Sequence, residues 1–233
     1  MLIRAKRVSL ALAVLIGVLL VAAPPSGAAI YNAANDFSTA SNPNGAWSYG
    51  EYSGGLSPGT FTLFNKAGSV GPIDAWWYAS TNPTDPAISH NSGALPYNEI
   101  SSGTTWLPNQ LLLHPYLGPT VVRFTASAAG EYDVNALFSP AQTQNTFPNA
   151  YVYLDGVQEY DQVTASGGVT YAGLLSLHTG DTIDFVVWGN NSNNKTTALD
   201  ATVNLVPEPA TLVVWSLLGT LAIGLGWRWR KAT

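Results

Sequence analysis

Aromatic side chains are the most prominent candidates for ligand contact in this sequence. In the first half of the chain they are Trp47, Tyr49, Tyr52, Trp76, Trp77, Tyr78 and Trp106. Their flat faces stack on the apolar faces of sugar rings, and they also commonly fill β-sandwich cores. We take Trp47, Trp76, Trp77 and Trp106 as candidate glycan contacts. Because Trp76 and Trp77 are adjacent, a strand directs them to opposite faces, and we expect one of them to be exposed.

Three aspartates, Asp181, Asp184 and Asp200, are candidate ligands for a calcium ion. Carboxylate oxygens suit Ca²⁺, but the spacing is not that of an EF-hand loop, and solvated loop acids are the alternative interpretation. The chain contains no cysteine, which removes thiol catalysis and cysteine-bound zinc or iron–sulfur clusters. Apart from calcium, we expect no cofactor.

Residue patterns that would indicate catalysis are less clear than the set of aromatic residues. The segment Gly55–Gly59 matches a serine nucleophile elbow, but Pro58 follows the serine and has no backbone N–H for an oxyanion. His114 is expected to be hydrogen-bonded at a strand end rather than to act as a base. The candidates for a glycosidase carboxylate pair are Glu51, Glu99, Glu131 and Glu159. We expect no enzymatic activity.

The charge distribution separates the ends of the chain from its middle. Of nine basic residues, only Lys66, Arg123 and Lys195 lie between residues 30 and 205, where thirteen of the fourteen acidic residues are found. A surface this acidic argues against nucleic-acid binding, which needs basic residues opposite phosphates. It suits an extracellular protein.

Short alternating segments in the middle of the chain predict an all-β fold. The clearest predicted strands are 120–126, 131–138, 151–154, 157–163, 169–177, 182–188 and 197–205, with weaker ones at 47–52, 61–64 and 75–78. Asp155-Gly156 predicts a two-residue hairpin. We expect one antiparallel jelly-roll-like β-sandwich of about eight to ten strands. A split into two sandwiches near residues 95–119 is the alternative.

One part of this pattern is similar to a known class of module. Arg123–Ala126, Gly130–Tyr132, Leu154–Gly156 and Leu177–Phe185 are similar to strand patterns in galactose-binding-like jelly rolls. The resemblance covers about half of the domain. It implies the architecture and a sugar-binding or surface role, without naming a ligand.

The N-terminal segment, residues 1–29, has the three parts of a secretory signal peptide. Arg4, Lys6 and Arg7 precede an apolar run over 8–23, and small residues at 27–29 follow a diproline. We expect cleavage after Ala28 or Ala29. A retained N-terminal anchor is the alternative, because the apolar run approaches spanning length.

The C-terminal segment, residues 206–233, predicts a second membrane signal. An uncharged run of about 210–227 is long enough for a short transmembrane helix. Arg228, Arg230 and Lys231 follow it in the basic tail 228–231, and positive residues favour the cytoplasmic side. Both ends of the precursor therefore point inward and residues 30–205 lie outside.

The residues before that helix carry a specific resemblance. Val206-Pro207-Glu208-Pro209, the helix and the basic tail together closely resemble the PEP-CTERM sorting signal of bacteria. The resemblance covers about the last 28 residues. It implies recognition of the motif by an exosortase, a membrane-embedded protease, and removal of the helix. It also implies a precursor that is membrane-anchored at least transiently and a product at the cell surface or in the extracellular matrix.

Three hypotheses about function follow. The first is an exported, non-enzymatic surface or matrix protein whose β-sandwich contacts exopolysaccharide. The second is a structural adhesin that binds proteins or itself, with its aromatic residues in the core. The third is a polysaccharide-active enzyme. An exposed, coplanar strip of Trp and Tyr residues favours the first hypothesis, and its absence favours the second. Two carboxylates at glycosidase spacing in a cleft favour the third.

Overall fold

The computed structural model describes residues 29–56, 60–78, 86–100, 102–116, 118–142, 147–189, 196–207 and 219. Residues Ile30–Leu205 form one compact unit. The described part of this unit is built from β-strands and the turns between them, which confirms the predicted fold class. Within the described ranges, no helix has the length and apolar character that crossing a bilayer requires. The predicted signal peptide and transmembrane helix fall almost wholly outside these ranges.

Sixteen strands lie in the described residues. The first half of the chain contributes β1 Ile30–Asn32, β2 Trp47–Ser53, β3 Thr60–Leu63, β4 Lys66–Val70, β5 Ile73–Trp77, β6 Ala87–Asn91, β7 Tyr97–Glu99, β8 Thr104–Trp106 and β9 Leu111–His114. The second half contributes β10 Thr120–Thr125, β11 Gly130–Pro140, β12 Asn149–Leu154, β13 Val157–Val163, β14 Val169–Leu177, β15 Thr182–Trp188 and β16 Thr197–Leu205.

Two antiparallel sheets form the sandwich. Sheet I has the order β14-β11-β16-β9-β6-β5-β4, with β1 paired to β16. Sheet II has the order β13-β12-β15-β10-β2-β3. Strands β7 and β8 form a separate two-stranded hairpin. Both sheets combine strands from both halves of the chain, so the first half does not close into a sandwich of its own.

The second half of the chain folds as its alternation predicts. Along β11, Tyr132, Val134, Ala136 and Phe138 are buried, whereas the intervening Glu131, Asp133 and Asn135 are exposed. In the predicted hairpin, Leu154 pairs with Val157, and Asp155 and Gly156 have φ angles of 48° and 79°. Two consecutive positive φ angles are typical of the turn that matches the twist of the flanking strands.

The expectation of eight to ten strands is wrong. The weaker predicted strands in the first half exist as β2, β3 and β5, but β1, β4, β6, β7, β8 and β9 were not predicted. The last three of these are only three or four residues long, too short to show a periodic pattern. They matter for function, because β7 and β8 cover one face of sheet I.

The inner faces of the two sheets enclose an aromatic core. The Phe124 ring of sheet II lies 5.8 Å from Tyr132 of sheet I and 5.4 Å from Trp47. Trp47, Phe124 and Tyr132 are all almost completely buried. Their burial supplies much of the apolar area that stabilises the sandwich.

Part of the outer face of sheet I, on strands β5, β9 and β16, is also covered. Ile73, Leu112 and Ala198 on this face pack with Trp106 of β8, and Tyr97 of β7 packs against the same cluster. A sheet face that the sequence alone would expose to solvent is therefore buried under the β7–β8 hairpin.

Candidate functional site

A pocket of about 280 Å³ lies between the outer face of sheet I and the β7–β8 hairpin. Its floor is a row of small residues on three neighbouring strands, where Gly68 pairs with Ala75 and Ala75 pairs with Ser89. Short side chains on adjacent strands leave a depression in an otherwise close-packed surface. The pocket is therefore a consequence of the strand register together with the position of the hairpin.

Three aromatic side chains line this pocket. Trp77 comes from β5, and Tyr97 and Trp106 come from the hairpin. The rings of Tyr97 and Trp106 meet edge to face, with 5.9 Å between their centroids. A Cβ at Gly68 would lie 2.8 Å from Cη2 of Trp77, so the missing side chain at Gly68 leaves room for the indole. Two of the four candidate tryptophans, Trp77 and Trp106, thus meet at one site.

Hydrogen bonds fix the polar side of the pocket. The indole Nε1 of Trp106 donates to Ser89 Oγ over 2.9 Å, and Ser89 Oγ lies 2.8 Å from His114 Nε2. The other ring nitrogen, His114 Nδ1, lies 2.9 Å from Thr196 Oγ1. Burial lowers the pKa of His114 to about 4, so the imidazole is neutral at neutral pH. As expected, this histidine is hydrogen-bonded at the end of a strand.

The pocket carries one carboxylate. Glu99 is half-buried on β7, and Ser102 Oγ donates to its Oε2 over 2.7 Å. Among the described residues that line the pocket, no lysine or arginine is present and no second carboxylate accompanies Glu99. The pocket is thus aromatic and weakly acidic.

One donor in the pocket wall has no acceptor. Trp77 Nε1 is buried and lacks a hydrogen-bond partner among the described residues. Leaving a buried N–H unsatisfied costs about 1–3 kcal/mol.

The other two candidate tryptophans belong to the interior. Trp47 is 1% exposed, and its Nε1 donates to Asp36 Oδ2 over 3.1 Å. Trp76 Nε1 donates to the backbone oxygen of Ser38 over 2.8 Å. The expectation that Trp76 or Trp77 is exposed is wrong, because each is only 7% exposed. Alternation directs them to opposite faces of β5, but both faces are covered.

The three candidate calcium ligands are not brought together. Asp184 lies on β15 of sheet II, Asp200 on β16 of sheet I, and Asp181 in the turn before β15, where it accepts from the backbone N–H of His178. The described ranges contain no group of three acidic, histidine or cysteine side chains that could hold a metal ion. We therefore assign no calcium site to these aspartates.

Asp184 has a different partner from the one that the sequence suggested. Its two carboxylate oxygens accept bonds of 2.6 and 2.7 Å from Nε and an Nη of Arg123, and the Tyr52 hydroxyl also donates to it. The ring of Phe61 covers the guanidinium, with 4.0 Å from Cζ to the ring centroid. Burial and the neighbouring Asp184 carboxylate raise the pKa of Tyr52, which keeps its hydroxyl protonated.

The predicted sorting residues lie at the limit of the described chain. Val206 and Pro207 directly follow β16 and are exposed. Glu208 and Pro209, and the basic residues Arg228, Arg230 and Lys231, lie outside the described residues. Their roles in processing and topology stay predictions.

Sequence reasoning missed much of the pocket. Tyr97, Ser89 and Thr196 were not identified, and Glu99 was considered only as half of a glycosidase pair. No local pattern marks these positions, because the pocket depends on pairing between strands that are distant in the sequence. The available indication was the small size of the side chains at Gly68, Ala75 and Ser89. It predicts a pocket floor only when the pairing register of strands β4, β5 and β6 is known.

Comparisons with known proteins leave the family open. No family model and no curated protein matches this sequence. Among solved structures, the CBM36-1 domain of a multidomain xylanase from the hindgut metagenome of Trinervitermes trinervoides is 10% identical, with 52% of this chain and 98% of that chain covered and a TM-score of 0.32. The K3 cleaved adhesin domain of Lys-gingipain from Porphyromonas gingivalis is 11% identical, with 42% and 74% covered and a TM-score of 0.30. Similarities at this level support no inference about function.

Proposed function

We propose that this chain is an exported, non-enzymatic surface or matrix protein whose β-sandwich binds exopolysaccharide through the pocket under the β7–β8 hairpin. The observation that carries the proposal is the meeting of Trp77, Tyr97 and Trp106 in one cavity. Flat aromatic walls suit the apolar faces of a sugar ring, and a few polar groups orient it. The four candidate tryptophans form no exposed strip, which by the criterion stated from the sequence favours the adhesin, so the proposal depends on the pocket instead.

Export rests on the ends of the sequence. The N-terminal signal pattern directs the chain across the inner membrane of a bacterium, and the C-terminal helix holds the precursor there. An exosortase-type protease then acts at the motif Val206–Pro209 and releases the folded unit to the cell surface or matrix. The membrane is thus a transient partner and the polysaccharide a lasting one.

Sugar binding is tested with the full-length chain on a glycan array, with and without calcium. The detergent must not itself be a glycoside, so a polyoxyethylene ether is suitable. We expect binding to at least one polysaccharide class, and binding that is equal with calcium or a chelator. A chain that binds no glycan in either condition contradicts the proposed pocket function.

Sorting is tested separately in the native bacterium. Replacing Pro207, Glu208 and Pro209 by alanines should leave the uncleaved precursor in the membrane fraction, whereas the unchanged chain appears as a shorter surface product. Replacing Asp200, which is exposed on β16 and lies outside the motif, by alanine is the control. If the native surface product still carries the C-terminal helix, the sorting proposal fails.

A glycosidase is less well supported. Such an enzyme needs two carboxyl groups about 5–10 Å apart. Among the described residues that line the pocket, Glu99 has no carboxylate partner. Glu51 is on sheet II, Glu131 is on sheet I and Glu159 is on the terminal strand β13, so the fold spreads the other candidates over different elements.

A self-associating adhesin is the second candidate function, and strand β13 favours it. This strand ends the order of sheet II, and six of its seven residues are exposed. Val157 and Val163 are 63% and 56% exposed. A terminal strand with apolar side chains offers its backbone for pairing with another chain. Analytical ultracentrifugation over a concentration series distinguishes this candidate, which requires oligomers, from a monomeric sugar-binding protein.

A further inference from the structure

We propose that the pocket selects sugars that carry a free, protonated amino group, an inference that rests on the proposed carbohydrate function and narrows its ligand class. Two features of the pocket converge on a ligand of this kind. One is the combination of aromatic side chains with a carboxylate, and the other is the size of the cavity together with the hydroxyl groups that line it.

The first feature is the arrangement of charge and aromatic surface. Trp77, Tyr97 and Trp106 line the same cavity as Glu99. Aromatic faces attract a cation through their quadrupole, and several rings around one cavity are a recurring means of recognising an ammonium group. A carboxylate in the same partly desolvated space adds direct Coulomb attraction. The pocket therefore favours a ligand with one positive charge.

The surrounding groups do not oppose this charge within the cavity. His114 is neutral at neutral pH and lies in hydrogen bonds to two hydroxyls. Lys66 is the nearest cation described, with its Nζ 5.6 Å from the ring centroid of Trp77, but it is exposed and does not line the pocket. A carboxylated sugar would face Glu99 with no cation in the described lining to offset the repulsion.

The second feature indicates a sugar rather than a simple amine. The cavity is also lined by the hydroxyl-bearing residues Ser69, Ser102 and Thr104, which suit a ligand with several polar groups. An amino sugar carries the ammonium group and several hydroxyl or ring oxygens on one rigid frame. The cavity of about 280 Å³ lies near the lower end of ligand pockets, which suits a single sugar ring.

Isothermal titration calorimetry on the full-length chain tests the proposal. The probes are short β-1,4-linked oligomers of glucosamine and of N-acetylglucosamine, which share a ring frame. The titrations are run at mildly acidic pH, where the glucosamine nitrogen is protonated and the acetylated nitrogen is neutral. A charge-assisted hydrogen bond and cation–π contact predict about tenfold tighter binding of the glucosamine oligomer. A glucose oligomer of the same length serves as a neutral reference.

Two substitutions assign the preference to named atoms. Glu99→Gln keeps the side-chain shape and removes the charge, so we expect the affinity ratio to fall towards one while N-acetylglucosamine binding is retained. Its control is Glu131→Gln on the exposed face of β11. Trp77→Leu keeps an apolar side chain and removes the aromatic ring from the pocket lining, so it should weaken both oligomers. Its control is Trp188→Leu, because Trp188 does not line the pocket.

The outcomes separate the inference from the function on which it rests. Equal affinity for the two amino-sugar oligomers, or a preference that survives Glu99→Gln, overturns the amino-sugar inference and leaves sugar binding standing. Binding of none of the three oligomers, together with no binding on the glycan array, overturns both. A thermal unfolding midpoint for each variant excludes a change in folding as the cause.

Discussion

Single buried polar groups govern how the pocket wall responds to pH. His114 sits between the hydroxyls of Ser89 and Thr196, and the Trp106 indole donates to the same serine. The neutral imidazole has one protonated and one unprotonated nitrogen, and each hydroxyl can donate or accept to match it. Protonating it would bury a charge with no carboxylate among its hydrogen-bond partners.

This predicts acid sensitivity of the fold. Burial lowers the pKa of His114 to about 4 in the folded state, against about 6.5 when unfolded. A lowered histidine pKa means that the unfolded state binds the proton first, so stability is complete above pH 6.5 and falls as the pH drops towards 4. The loss approaches about 3 kcal/mol. Urea unfolding of wild type and His114→Gln between pH 4 and 8 measures it, and identical pH slopes for the two proteins would contradict the assignment.

The ion pair on sheet II gives a second prediction at the residue scale. Asp184 is almost fully buried, with both oxygens bonded to Arg123. Asp184→Asn leaves a half-buried guanidinium without its counter-charge, and we expect a loss of about 3 kcal/mol in the free energy of unfolding. Asp200→Asn is the control, since Asp200 is exposed on β16, and it should change stability by less than about 0.5 kcal/mol. Equal effects of the two substitutions would show that the Arg123–Asp184 pair is not a stabilising element.

At the scale of the strands, the close approach of β4 and β5 shapes the site. Gly68 lies beside the six-membered ring of Trp77, and a Cβ there would come within 2.8 Å of the ring. That distance is below any normal carbon–carbon contact, so either the indole or the strand must move. The geometry of the pocket therefore depends on the absence of one side chain.

Gly68→Ala should consequently disturb the pocket. We expect a loss of about 1–3 kcal/mol of stability from overpacking, together with weaker sugar binding because the indole is displaced. Gly167→Ala is the matched control, because a Cβ at Gly167 meets no atom within 4 Å. Stability is read from urea unfolding and binding from calorimetry. Sugar affinity that is unchanged in Gly68→Ala would show that the Trp77 indole does not contact the ligand.

The strands also show what the sequence could and could not predict. Strands β13 to β16 were predicted with their observed bounds, because alternation and turn residues define them locally. Strands β7 and β8 were missed, since three residues carry no period. Trp76 and Trp77 point to opposite faces of β5, as predicted. Whether either side chain is exposed depends, however, on which elements cover those faces. Local sequence therefore predicted the sandwich, and the hairpin that closes the pocket required tertiary contacts.

At the scale of the whole molecule, the sequence contains an acidic β-sandwich between two predicted membrane signals. The sandwich unit Ile30–Leu205 ends in β16, whose last residue is followed at once by the predicted sorting motif. Export and processing are proposed from the ends, and polysaccharide binding from the pocket. These two parts of the account stand on different observations and are tested independently.

A crystal structure of the full-length chain with a bound glucosamine oligomer tests the central claim most directly. The account predicts one sugar ring inside the pocket, with its ammonium group near Glu99 and one face against the aromatic side chains that line the cavity. An oligomer bound on another face, with the pocket under the β7–β8 hairpin left empty, would contradict it.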